Sequence, residues 1–307
     1  MAKSTREAYG QTLAELGKVN DKIVAMDADL SGSTKTAVFG KAFPERFFNF
    51  GIAEADMVCA AAGFAFSGYI PFVSTFAMFG SGRAYEQIRN TVAYTNANVK
   101  LAFSHSGLSV GEDGGSHQAL EDISLLRTLP NMTVFCPCDA NEAVKATKAA
   151  AEIVGPVYLR LSRPNTDVIT SEDDPFIPGK ANILRDGTDA AIFATGLMVQ
   201  RALKAADMLS EQGISAAVVN FHTIKPIDEE CILSYNSKVR AIVTAEEHFI
   251  TGGLGSAVAE VLAGNAGARF GRIGVNDRFG QSGTPDRLFE EYGLTAEAIA
   301  AKVKALL

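Results

Sequence analysis

The chain has no run of basic residues, no apolar stretch long enough to cross a bilayer, and only four cysteines among its 307 residues. Each lack excludes something. Lysine and arginine number 28 against 35 aspartates and glutamates, a net charge of −7, which disfavours nucleic-acid binding and a polybasic membrane contact. The longest apolar segment, 57–73, is interrupted by Gly63, Ser67, Gly68 and Pro71 and falls short of the ~20 residues a spanning helix needs. The opening MAKSTREAYG lacks the apolar region of a secretory signal. Cys59, Cys136, Cys138 and Cys231 show no zinc spacing and read as reduced, mostly buried thiols of a cytoplasmic protein. A P-loop and a nucleophile elbow are also missing. The segment GGLGSA (252–257) matches a glycine-rich turn before a helix only loosely.

What is present is alternation. Short apolar runs rich in β-formers lie at 21–30, 69–75, 99–105, 132–138 and 156–162, with helical patterns at 5–19, 53–67, 82–96, 117–129 and 139–154. Near-continuous apolar strands between helices predict a parallel sheet covered on both faces. Prolines, glycines and an acidic cluster then mark a linker over 166–188. The alternation restarts at 190–196, 215–222, 240–248 and 269–276. The length and this break predict two doubly wound α/β domains, 1–165 and 189–307.

In parallel sheets, ligands bind beyond the carboxyl ends of the strands. One long loop there, SHSGLSVGEDGGSHQ, holds His105, Glu112, Asp113 and His117, two of the four histidines of the chain. Long ordered loops in compact α/β domains are commonly functional, although a glycine-rich surface loop would read the same way. Asp27, Asp29, Ser31 and Ser33 follow the first strand, Arg163 follows the last, and Arg6 opens the first helix. Singly each is a solvated polar residue. Together they would set hydroxyls, an imidazole and guanidinium groups around one sheet edge, a set suited to a phosphorylated polyol. Glu54 and Asp56 stand at the mouth of an apolar, small-residue helix. There they either complement the helix dipole, at about 0.3–1 kcal/mol each, or mark a carboxylate held dry for proton chemistry.

The stretches FNFGIAEADM, STFAMFGSGRAYEQIR, GEDGGSHQ and LPNMTVFCPCDANE resemble the pyrimidine-binding domain of transketolases, and TAEEHFITGGLGSAVAEVLA is similar to their C-terminal domain. The likeness runs from Arg6 to the end. It implies a thiamine-diphosphate fold, with Glu54 as the carboxylate that hydrogen-bonds the aminopyrimidine and Phe76 and Phe79 as its stacking wall. Where the family has a further aromatic, this chain has Ser81 and Gly82. Asp29 falls at the acid near the thiazolium side. His105 and His117 match the two catalytic loop histidines, and Asp113 matches the acid that reads a donor hydroxyl. Arg6, Ser33, His105 and Arg163 match the set that holds the substrate phosphate.

The G-D-G…N motif through which the family binds the diphosphate and its metal is not found. The resemblance therefore implies the C-terminal subunit of a split transketolase. Its Mg²⁺ ligands would come from an N-terminal partner in an α2β2 heterotetramer, and its substrate would be a sugar phosphate. The β subunit of a 2-oxoacid dehydrogenase and a deoxyxylulose-phosphate-synthase-like subunit are the alternative enzymes, and a sulfonated sugar is an alternative substrate. A paralogue that keeps the fold without turnover is the non-enzymatic alternative.

Overall fold

A computed structural model describes residues 2–307. Its strands, in chain order, are β1 Ile23–Asp27, β2 Phe47–Asn49, β3 Ile70–Ser74, β4 Lys100–Phe103, β5 Thr133–Phe135, β6 Val157–Arg160, β7 Asn182–Arg185, β8 Ala190–Ala194, β9 Ala216–Asn220, β10 Thr223–Lys225, β11 Ala241–Phe249 and β12 Arg269–Val275. They form two sheets, ordered β10-β5-β6-β4-β3-β1-β2 and β12-β11-β8-β9-β7. The pairings are parallel except at one edge of each sheet, where β10 and β7 run antiparallel to β5 and β9. The architecture is two-domain α/β, as the alternation implies.

Three details differ from the sequence reading. The segment 166–188 is not all connection, because β7 lies within it and closes the second sheet beside β9. β10 follows β9 at once yet joins the first sheet, so the chain crosses back between the halves. In place of a regular helix over 82–96, wide π-helical turns span Met78–Arg83 and Ile88–Ala93. Such turns recur at functional sites.

The helices Thr5–Val19 and Ala140–Glu152 are fixed at their starts by Ser4 and Asp139, whose side chains accept from the amides of Glu7 and Glu142. Oxygens so placed satisfy otherwise orphaned N–H groups. These helices cover one face of the first sheet with Ala8, Tyr9, Leu13, Ala143 and Ala146 against Phe72, Ala102 and Leu159. The opposite face packs Met57, Val58, Ile88 and Ile123 on Leu101 and Phe103. That core continues into Phe193, Val219 and Phe221 of the second half, so one apolar layer welds the halves together. Among the described residues no helix is long and apolar enough to cross a membrane. All four cysteines are unpaired, with Cys136 and Cys138 buried but Cys59 exposed.

Candidate active site

The carboxyl ends of β1, β3, β4 and β6 bring the polar loops to one edge of the first sheet. Asp27, the last residue of β1, is fully buried and organises the turn after it. Its carboxylate accepts from the Leu30 amide at 2.6 Å and from the hydroxyls of Thr34 and Thr36 at 2.6 and 2.8 Å. Burial nonetheless leaves its carboxyl above the ordinary range. The turn it shapes carries Asp29 and Ser33 to the surface.

Glu54 opens the helix Glu54–Phe66, and only 1% of its side chain is exposed. Both of its carboxylate oxygens accept from Nη1 of Arg83, at 2.9 Å each. The Arg83 guanidinium lies over Phe79, 4.8 Å from the ring centre. Phe79 stacks with Phe76, centroids 5.7 Å apart, and His117 meets Phe79 edge-on at 5.2 Å. Phe76 in turn stacks on His105.

His105 follows β4 with a left-handed backbone, φ +57°, a conformation that non-glycine residues rarely adopt. Its Nε2 lies 3.4 Å from Arg6 Nη1. A guanidinium can only donate, so Nε2 accepts and the proton sits on Nδ1, which donates to Ser104 Oγ at 2.9 Å. Burial first, then the charges of Arg6 and Arg163, push the imidazole down to about 3. It is a neutral group at any physiological pH.

Arg6 also donates to the carbonyls of Ser33 (2.8 Å) and Arg163 (3.2 Å). Burial and the neighbouring Arg163 charge lower its proton affinity, the signature of two cations held close together. Arg163 donates to the Val110 carbonyl and lies 3.4 and 3.8 Å from the carboxylates of Glu112 and Asp113. A cavity of about 300 Å³ opens beside Arg6, Ser109, Glu112, Arg163 and Pro285.

Contacts thus run without a break from Glu54 through Arg83, Phe79, Phe76, His105 and Arg6 to Arg163 and Asp113, with His117 alongside. Ser33 and Asp29 join the surroundings through their backbones. Ser33 presents its carbonyl to Arg6, an acceptor that positions the guanidinium. Asp29 is exposed, and its backbone amide donates to Asn49 Oδ1.

The sequence reading did not anticipate Arg83, nor the part played by the second half. There Glu247 of β11, buried, accepts the Ser109 amide at 2.5 Å. Gln118 donates to the carbonyls of Leu108, Gly111 and Gln281, and Ser282 donates to that of Glu112 at 2.7 Å. Gly107, at φ +77°, lies so close to Glu247 that a Cβ there would strike its carboxylate. The loop bearing Asp113 and His117 is therefore clamped by the C-terminal half. The turn GGLGSA is occupied from within, since Glu246 accepts the amides of Leu254 and Gly255 at 2.7 and 2.8 Å.

The sequence matches the transketolase pyrimidine-binding domain over residues 1–168 and the transketolase C-terminal domain over 179–299. It is 51% identical over 304 residues to a putative transketolase C-terminal section of Methanocaldococcus jannaschii, covering 98% of this chain and 95% of that one. It is 44% identical to a 6-deoxy-6-sulfo-D-fructose transketolase subunit of Clostridium sp., covering 96% and 91%. With human transketolase the identity is 39%, covering 99% of this chain but 49% of the relative. Among solved structures, a split gene transketolase described as an inactive beta4 tetramer superposes with a TM-score of 0.91. It shares 50% identity and is covered to 99%.

Proposed function

This chain belongs to the transketolase family, and on that premise we propose that it is the C-terminal subunit of a two-chain, thiamine-diphosphate-dependent transketolase of the cytoplasm. Residues 1–165 form its pyrimidine-binding domain and 189–307 the C-terminal domain, with 166–188 connecting them except where β7 joins the second sheet. The enzyme transfers a two-carbon ketol unit from a ketose phosphate to an aldose. The observation that carries the reading is Glu54, a dry carboxylate at a helix start, joined through Arg83 to the wall of Phe79 and Phe76 that leads to the buried His105 and the half-buried Arg6. Support for a second chain comes from the relatives: the closely similar chains are named as a section, a subunit or a split gene, and human transketolase is about twice as long. The partner is an N-terminal subunit that supplies the diphosphate and Mg²⁺ ligands, in an α2β2 assembly.

Thiamine diphosphate, when bound, supplies a nucleophilic carbon that carries the ketol unit between sugars. The residues here fit its pyrimidine end: an acid paired with Arg83 and two aromatic faces. Glu54 would hold or move a proton at a ring nitrogen, where a desolvated carboxyl is effective. Phe76 and Phe79 give the ring stacking surface and exclude water. Neutral His105, its proton held on Nδ1 by Ser104, offers Nε2 as an acceptor for a sugar hydroxyl, and His117 with Asp113 lies at the loop end where donor hydroxyls would reach. Arg6 and Arg163 form the anion end; charge-assisted bonds to phosphate or sulfonate are about twice as strong as neutral ones. The test is to combine the chain with an N-terminal subunit and Mg²⁺, then assay ketose donors against aldose acceptors. Sulfonated ketoses belong among the donors, because the sulfosugar relative is 44% identical. Turnover of no donor by the assembled pair would refute the reading.

A further inference from the structure

The carboxylate of Glu54 is nearly sealed from solvent, whereas the Arg83 side chain is 51% exposed. The guanidinium therefore lies on the outer side of the carboxylate. One nitrogen, Nη1, is centred on both oxygens at 2.9 Å, and among the described residues the carboxylate accepts from no other side chain or amide. The same guanidinium covers Phe79. Arg83 reaches this position because Met78–Arg83 is wound as a π-helical turn. That turn sits tightly on β4: a Cβ at Gly80 would collide with the ring of Phe103. This is also the segment in which Ser81 and Gly82 stand in place of an aromatic.

We propose that Arg83 is the positioning residue of Glu54: it fixes and neutralises the carboxylate and, with Phe79, forms a cover that an incoming heteroaromatic ring must displace. A buried carboxylate without a cation is costly and is relieved by taking up a proton or by admitting water. While Arg83 is in place the carboxylate is paired and its outer side is closed. A planar ring with a hydrogen-bonding nitrogen can take over the same two functions, stacking on Phe79 and bonding to the carboxylate. Only the identity of that ring as the pyrimidine of thiamine diphosphate rests on the function proposed above; the cover itself is a property of this chain.

Carbodiimide coupling with a small amine, read by mass spectrometry, reports how accessible and protonatable each carboxyl is. In the isolated chain, Arg83→Gln should raise the labelling of Glu54 about tenfold, the ratio equivalent to about 1.4 kcal/mol of lost protection. Arg83→Lys should stay near wild type. Asp122, buried and paired with Arg160, should remain unlabelled throughout and so report an intact fold. Equal labelling of Glu54 in wild type and Arg83→Gln, with Asp122 protected, would overturn the proposal. If Arg83→Gln loosens the fold and exposes Asp122, Arg83→Lys decides: protection of Glu54 supports the cover, and loss of that protection with Asp122 intact overturns it. In the assembled two-chain enzyme, thiamine diphosphate should suppress the labelling of Glu54 in Arg83→Gln. Its failure to do so, with the isolated-chain pattern as expected, would count against the cofactor reading and leave the cover standing.

Discussion

The imidazole of His105 lies flat on the ring of Phe76, their centroids 3.8 Å apart and their planes within 24° of parallel. Burial first, then the facing Arg6 and Arg163, keep the imidazole neutral, far below its ordinary value of 6.5. An unfolded chain protonates this histidine near 6.5 and the folded one only near 3, so the unfolded state binds the extra proton between those values. The stability it contributes is complete above about 6.5 and falls as pH drops toward 3, a loss on the order of 5 kcal/mol. His105→Gln should therefore flatten the acid limb of stability. Urea midpoints at several pH values check this, and parallel pH slopes for variant and wild type would contradict it.

Glu54→Gln should fold and assemble, yet cut turnover by roughly 10²–10⁴, the range for a lost general acid or base. Steady-state rates of the assembled enzyme provide the check. Near-wild-type turnover would reduce Glu54 to the helix-start acid that its position alone allows.

Arg163→Ala should act mainly on KM for phosphorylated or sulfonated donors, because a bond to a non-reacting anion is present in ground and transition states alike. The expected loss is about 1.5–3 kcal/mol. The acids Glu112 and Asp113 beside it would then face the anion unscreened, so Glu112→Gln in the same background should recover part of the affinity. An unchanged KM for every anionic donor would remove Arg163 from the site.

Arg160→Met tests the weld beneath the site. Arg160 donates to Asp122 at 2.6 and 3.1 Å and to the Glu247 carbonyl at 3.0 Å, all buried. Tyr158 donates to the same carboxylate. Removing one partner of a buried pair strands the other charge, at a cost of about 3–5 kcal/mol. Thermal and urea unfolding should show this destabilisation. A loss below about 1 kcal/mol, the level of a surface pair, would mean that Asp122 is satisfied without it.

The alternation of apolar strands and helices was legible because fully buried parallel strands read as continuous hydrophobic runs. The helix Thr5–Val19 and the central strands fall where the pattern put them. β2 was missed because FFN is three residues long and follows a proline turn. β10 was missed because nothing local says that Thr223–Lys225 leaves its own sheet for β5. At the site, the polar residues were visible as residues after strands. Their connections were not: the bond of Arg83 to Glu54 depends on a π-helical turn, and the hold of Glu247 on Ser109 joins positions 138 apart in sequence.

The central claim is that this chain holds the pyrimidine end of thiamine diphosphate and depends on a partner for the rest. Calorimetric titration of thiamine diphosphate, with and without Mg²⁺, tests it most directly when run on the chain alone and on the chain mixed with an N-terminal subunit. The account predicts very weak binding to the chain alone and tight, Mg²⁺-dependent binding to the pair. Strong, metal-dependent binding by the isolated chain, or no binding by the pair, would contradict it.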